Sequence, residues 1–137
     1  MQDTPQNPWP RILLVDDEPH VTHILGRRLG KLGAEVHVAR NGSEGYERAV
    51  ELVPDLILSD LQMPRSDGLD MAVRLAETPT TSQVPIVMLS GRGFLLDDAR
   101  VRTTRIVEVL EKPFSVSTVI QVFTRVLSWD PPVETAA

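Results

Sequence analysis

The sequence contains no cysteine, no apolar run long enough to cross a membrane and no cluster of basic residues. Without cysteine, disulfides and thiolate metal sites are excluded, and a reducing cytoplasm is allowed. No apolar run approaches the roughly 20 residues of a membrane span, and the N-terminus lacks the charged and then apolar pattern of a signal peptide. The formal net charge of −5 is spread along the chain, which argues against binding to a nucleic-acid backbone. We therefore expect a cytoplasmic protein that binds neither membranes nor nucleic acids directly.

The chain is long enough for one domain with a buried core, since it has 137 residues of which 42% are hydrophobic. Residues 1–10 show no hydrophobic periodicity and are expected to form a flexible lead-in. Residues 129–137, which contain a Pro-Pro pair, are expected to be a tail or the start of a linker. The domain is thus predicted to span residues 11–128.

Five short apolar runs alternate with five helical patterns along this domain. The runs are residues 12–15, 36–38, 56–60, 86–89 and 106–110. In the second run, valines alternate with Glu35 and His37, which is typical of an edge strand with His37 exposed. Strands that alternate with helices imply right-handed crossovers and a parallel sheet. We predict a doubly wound α/β fold, with a flavodoxin-like five-stranded sheet in the order 2-1-3-4-5 and helices on both faces.

The helical patterns carry start signals of different strength. Pro19 suits a first helical position, and Ser43 and Ser115 can cap the second and the last helix. The fourth pattern, residues 91–105, is the weakest because its apolar positions are poorly spaced. We expect this segment to be the least regular of the five.

The third apolar run, residues 56–60, ends in a single carboxylate, that of Asp60. A run this short and apolar is typical of a strand buried on both faces. Met63-Pro64 follows three residues later, and proline prevents the strand from continuing. Asp60 is therefore predicted to lie at the carboxyl end of a central strand, where open α/β sheets place their ligands.

Four loops with polar side chains open on the same edge of the predicted sheet. These side chains are Asp16, Asp17, Asp60, Ser90 and Lys112. Carboxylates so close repel one another and would raise at least one pKa unless a cation lies among them. A small number of oxygen ligands favours Mg²⁺, and the ammonium of Lys112 is suited to an anion. Each residue alone is unremarkable, but together they predict a divalent cation beside a transferable phosphoryl group.

Several motifs in order resemble the receiver domain of two-component response regulators. They are Leu-Leu-Val-Asp-Asp-Glu-Pro at residues 13–19, Asp-Leu-Gln-Met-Pro at residues 60–64 followed by Asp67-Gly68, Ser90, and Lys-Pro-Phe at residues 112–114. The resemblance covers about residues 10–128. It implies that Asp60 takes a phosphoryl group from a phosphohistidine on a sensor histidine kinase or a histidine phosphotransferase. Water would later hydrolyse the acyl phosphate and reset the switch.

The resemblance also implies how the neighbouring residues act. The ligands of Mg²⁺, for which Mn²⁺ could substitute, would be the carboxylates of Asp16, Asp17 and Asp60 and the backbone carbonyl of Gln62. Asp16 would act mainly through a water molecule. Lys112 would pair with one phosphoryl oxygen and the hydroxyl of Ser90 with another. The peptide bond between Lys112 and Pro113 would be cis.

Other positions concern the lifetime and the transmission of the signal. Gln62 and Arg92 occupy positions that in the family lie beside the attacking water and tune phosphate lifetime. Val109 stands where the family has an aromatic switch residue, so we expect the fourth helical segment and its loops to shift without an aromatic toggle. The output surface would be the face formed by that segment, the fifth strand and the last helix. It would bind a downstream protein, a covalently linked output domain or a second copy of the chain.

The sequence therefore predicts a phosphoacceptor switch rather than an enzyme, with three alternatives. A phosphorylation-independent scaffold of the same fold is suggested by Val109 alone. A phosphatase that forms an aspartyl-phosphate is disfavoured, because the first strand ends in adjacent aspartates and no cap insertion has room. A nucleotide or flavin binder is disfavoured because no glycine-rich phosphate loop follows the first strand.

Overall fold

Five parallel strands form the sheet of this structure, a computed structural model that describes residues 9–63, 67–91 and 99–131. The strands are β1 (Arg11–Val15), β2 (Glu35–Ala39), β3 (Leu56–Asp60), β4 (Ile86–Ser90) and β5 (Ile106–Glu111). Their order is β2-β1-β3-β4-β5, and every neighbouring pair is parallel. This order confirms the predicted doubly wound topology and places β2 at an edge.

Helices cover both faces of the sheet. Those within the described residues are α1 (Pro19–Lys31), α2 (Gly42–Leu52), α3 (Gly68–Ala76), α4 (Val116–Leu127) and a 3-10 helix (Ala99–Thr103). One apolar cluster joins the sheet to α2 and α3, and a second joins it to α1 and α4. All residues of β3 and β4 are buried, as expected for central strands covered on both faces. The carboxyl ends of these strands are therefore held on a packed support.

The fourth helical segment predicted at residues 91–105 is described only in part. Its last portion, Ala99–Thr103, is a 3-10 helix, whereas residues 92–98 lie outside the described residues. In the part that is described, the segment is short and turns directly into β5. No helix of the described residues is long and apolar enough to cross a membrane.

The predicted cap of α2 is wrong, whereas that of α4 is confirmed. The side-chain oxygen of Asn41 accepts a hydrogen bond from the N–H of Glu44 at 2.8 Å, and Ser43 already lies inside the helix. The amide side chain of Asn41 reaches the free N–H groups of the first turn, so the helix begins before the serine. Ser115 caps α4, since its hydroxyl accepts from the N–H of Thr118 at 3.1 Å.

His37 is half-buried, contrary to the prediction that it is an exposed residue. Its Nε2 lies 2.7 Å from the carboxylate of Glu35, and its Nδ1 lies 3.2 Å from the guanidinium of Arg48 on α2. The long side chain of Arg48 covers this part of the edge strand, which strand periodicity alone does not reveal.

Trp129 belongs to the core, although the sequence placed it in the tail. Its side chain is 5% exposed and packs in the cluster shared by α1 and α4. The chain reverses at Ser128, which has a φ of 50°, and the N–H of Trp129 then donates to the carbonyl of Thr124 at 2.9 Å. The packed structure therefore continues past residue 128, because the indole folds back onto the end of the helix that precedes it.

Candidate functional site

The carboxyl ends of four strands bring the predicted polar residues to the same edge. Asp16 follows the last residue of β1, Asp60 ends β3, Ser90 ends β4 and Lys112 follows β5. The register aligns these ends, because Asp60 pairs with Leu89 next to Ser90. Residues far apart in sequence thus meet as parallel strands require.

Three carboxylates form the centre of the site. One oxygen from each of Asp16, Asp17 and Asp60 lies within 4.8 Å of the others. Asp16 and Asp60 are each 4% exposed, whereas Asp17 is exposed. Oδ1 of Asp16 accepts from the N–H of Glu18 at 2.9 Å, but its Oδ2 is buried and has no hydrogen-bond partner among the described residues. A buried carboxylate oxygen without a partner is costly, and a cation among the three groups would satisfy it.

A single ammonium approaches this cluster. Nζ of Lys112 lies 3.2 Å from Oδ1 of Asp60. The backbone of Lys112 is anchored, because its N–H donates to the carbonyl of Ser90 at 2.9 Å. The side chain of Ser90 is buried beside it. The peptide bond between Lys112 and Pro113 is cis, as the resemblance implies. The ammonium and the hydroxyl-bearing residue are thus placed together beside the carboxylate of Asp60.

Burial makes the negative charge of this cluster unfavourable without a cation. The pKa of Asp16 is raised to about 6, chiefly by burial and in part by the charge of Asp60, although the hydrogen bond from the N–H of Glu18 opposes the increase. Burial also raises the pKa of Asp60, and the adjacent ammonium of Lys112 opposes the increase without cancelling it. The single positive charge of Lys112 therefore does not neutralise the negative charge of the three carboxylates. The donor set of carboxylate oxygens fits Mg²⁺, which prefers oxygen ligands and retains waters.

We expect Asp16→Asn to stabilise the metal-free protein at pH 7 by up to about 3 kcal/mol. The folded state binds the proton of Asp16 more tightly than the unfolded chain, because its pKa rises from 3.8 to about 6. The contribution of Asp16 to the stability of the wild type should therefore be fully present below about pH 4 and be lost as the pH rises through about 6. Asparagine keeps an oxygen for the N–H of Glu18 and removes the buried charge. Urea unfolding in the presence of a chelator measures the difference.

Asp17→Asn is the control for this prediction, because the side chain of Asp17 is exposed. Its effect on metal-free stability should stay within about 0.5 kcal/mol, as for most surface substitutions. Equal unfolding free energies of Asp16→Asn and the wild type at pH 7 would contradict the assignment of a buried, destabilising charge. Both variants should bind Mg²⁺ more weakly, since each removes a carboxylate from the cluster.

The remaining predicted residues are placed differently. Gln62 is exposed, and its N–H donates weakly to Oδ1 of Asp60 at 3.4 Å. Val109 is half-buried and packs against the cluster of α2 and α3. Arg92 lies outside the described residues. The role of Arg92 beside the acyl phosphate therefore stays a prediction.

Two residues that touch the backbone of Asp60 were not recognised from the sequence. The hydroxyl of Ser59 donates to the carbonyl of Asp60 at 3.0 Å. A Cβ on Gly68 would lie 2.5 Å from that carbonyl oxygen, so the two backbones touch. The signal in the sequence was one serine in an otherwise aliphatic strand, and a glycine that opens the following helix.

Comparison with known proteins agrees with this geometry. A family model described as the response regulator receiver domain matches residues 12–124. The DNA-binding dual master transcriptional regulator RpaA of Synechocystis sp. is 36% identical over 107 residues, which are 78% of this chain and 44% of that protein. The chemotaxis response regulator CheY4 of Vibrio cholerae superimposes with a TM-score of 0.79 at 25% identity, covering 86% of this chain and 98% of that one.

A further solved structure is the response regulator protein TrrA of Thermotoga maritima, in complex with Mg²⁺ and BeF. It has a TM-score of 0.75 and 26% identity, and the match covers 85% of this chain and 98% of that one. The match spans less than half the length of RpaA and of other curated relatives of this chain. The match therefore concerns one domain of those longer proteins.

Proposed function

This chain belongs to the family of response regulator receiver domains, and on that premise we propose that Asp60 is its phosphoacceptor. The chain is a receiver domain of two-component signal transduction. The proposal rests above all on one observation, the convergence of Asp60 with two other carboxylates and Lys112 at the carboxyl end of the sheet. A carboxylate oxygen of Asp60 would attack phosphorus as the bond from phosphorus to a donor histidine nitrogen breaks.

The charges of the site support this transfer. Mg²⁺, held by Asp16, Asp17, Asp60 and the backbone carbonyl of Gln62, would neutralise charge on the transferring group, and Mn²⁺ could replace it. The ammonium of Lys112 would bind one phosphoryl oxygen and the hydroxyl of Ser90 another. Because Asp16 and Asp60 are buried, these interactions are stronger than they would be in water. Water would subsequently break the acyl phosphate and release inorganic phosphate.

The partners of the chain follow from the same chemistry. We propose a sensor histidine kinase or a histidine phosphotransferase as the donor. The output would be a separate protein or a linked domain that contacts the face around β5 and α4. Val109 lies on β5, where it packs against the cluster of α2 and α3, and it is aliphatic, so the conformational change would proceed without an aromatic toggle. The match to the receiver family over residues 12–124 argues against the alternative of an aspartyl-phosphate phosphatase.

Incubation with acetyl phosphate and Mg²⁺ tests the proposal. Intact mass spectrometry should show the addition of one phosphoryl group, and a chelator added beforehand should prevent it. The adduct should disappear with time as the acyl phosphate is hydrolysed. A protein that keeps its unmodified mass with donor and Mg²⁺ present would favour the alternative of a phosphorylation-independent scaffold.

A further inference from the structure

The backbone that leaves β3 is held by hydrogen bonds at two consecutive carbonyls. The buried hydroxyl of Ser59 donates to the carbonyl of Asp60 at 3.0 Å. The N–H of Gly68, the first residue of α3, donates to the carbonyl of Leu61 at 2.8 Å. The N–H of Leu61 in turn donates to the carbonyl of Leu89 on β4 at 2.9 Å. The chain around the carboxylate of Asp60 is thus bonded to β4 and to the start of α3.

Gly68 makes this arrangement possible because it has no side chain. A Cβ at this position would lie 2.5 Å from the carbonyl oxygen of Asp60 and 2.9 Å from the hydroxyl oxygen of Ser59. Both distances are shorter than real Cβ contacts allow. A side chain at this position would require the first turn of α3 and the backbone of Asp60 to move apart, which would strain the hydrogen bond to Leu61.

Buried side chains also hold the same segment. Leu61 and Met63 are 5% and 8% exposed and belong to the apolar cluster of α2 and α3. Gln62, which lies between them, is exposed. Residues 61 and 63 therefore anchor the segment in the core while residue 62 faces away from that cluster.

We propose that Ser59 and Gly68 are positioning residues for the metal ligand on the backbone of Gln62. This inference rests on the magnesium site proposed above. The carbonyls of Asp60 and Leu61 each accept a hydrogen bond within the protein, and these bonds fix the direction of the backbone from which the carbonyl of Gln62 follows. Ser59 and Gly68 would thus act through the backbone and touch neither Mg²⁺ nor the phosphoryl group.

Ser59→Ala tests this inference through metal affinity. Loss of the hydroxyl frees the carbonyl of Asp60, and we expect the Kd for Mg²⁺ to rise about 3- to 10-fold, as measured by calorimetric titration. Thr81→Val is a matched control, because the buried hydroxyl of Thr81 also donates to a backbone carbonyl, that of Leu75, at 2.8 Å. Thr81 precedes β4 at the end opposite Ser90. The Thr81→Val variant should have a lower melting temperature than the wild type and the same Kd for Mg²⁺.

Two further variants keep the test decisive if Ser59→Ala does not fold. Ser59→Cys keeps a weaker donor of similar size and should lose affinity less than alanine does. Gly68→Ala should weaken Mg²⁺ binding more strongly than either, whereas Gly30→Ala is its control, since a Cβ there meets nothing within 4 Å. A Kd within twofold of the wild type in the folded Ser59 and Gly68 variants would overturn the inference. That result leaves the proposed function intact as long as the wild type still accepts phosphoryl groups.

Discussion

Asp60→Asn is expected to abolish phosphoryl transfer from acetyl phosphate, with a loss on the order of 1,000-fold or more. Asparagine retains the shape of the side chain but offers a neutral amide in place of the carboxylate nucleophile. Asp60 is the carboxylate in contact with the ammonium of Lys112, and it ends a strand whose residues are all buried. Intact mass after incubation with Mg²⁺ and donor should therefore remain that of the unmodified protein.

Asp55→Asn is the matched control for this substitution. Asp55 directly precedes β3, so it lies at the opposite end of the same strand, where its carboxylate accepts from the N–H of Arg11 at 2.7 Å. An asparagine oxygen can still accept that bond, and phosphorylation should proceed at the rate of the wild type. An adduct that persists in Asp60→Asn would show that another group, such as Asp17, is the acceptor.

Lys112→Met is expected to slow phosphorylation about 100-fold, the usual effect of removing one electrostatic contact to the reacting group. Methionine keeps the length of the side chain and removes the charge that lies 3.2 Å from Asp60. Because the ammonium opposes the effect of burial on the pKa of Asp60, its loss should raise that pKa further. The pH at which the rate of the variant levels off should therefore be higher than that of the wild type.

The chain offers one other lysine as a control for this experiment. Lys31 lies in the last turn of α1 and is exposed, so Lys31→Met should leave the phosphorylation rate unchanged. The rates are measured as the fraction of phosphorylated mass against time at fixed Mg²⁺. If Lys112→Met reacts as fast as Lys31→Met, Lys112 does not bind the transferring group.

The site could be predicted from the sequence because its position follows from sheet topology. Parallel strands direct their carboxyl ends to one edge, so recognising the strands before Asp16, Asp60 and Lys112 was sufficient to bring these residues together. The sequence also predicted that repulsion between the carboxylates would raise a pKa; the pKa of Asp16 is raised, with burial as the largest cause and the charge of Asp60 as a smaller one. The extent of this burial depends on packing around the loop, which the sequence does not specify.

Features that depend on close approach between distant segments were not predicted. The burial of Trp129 requires that the chain fold back against α1 and α4, and no periodicity marks an aromatic residue after a helix. His37 is half-buried because the long side chain of Arg48, on α2, lies against it. The contact of Gly68 with the backbone of Asp60 arises from the exact path of a loop, for which local sequence patterns carry little information.

The anchored backbone of Lys112 has a mechanical consequence for signalling. In the resting protein its ammonium is the counter-ion of Asp60, while its N–H ties the end of β5 to β4. If Asp60 accepts a phosphoryl group as proposed, the ammonium would exchange one anion for another by rotation of its methylene chain alone. The pairing of β5 with β4 would then stay in place while the charge at the site changes, so the response would have to arise outside these two strands.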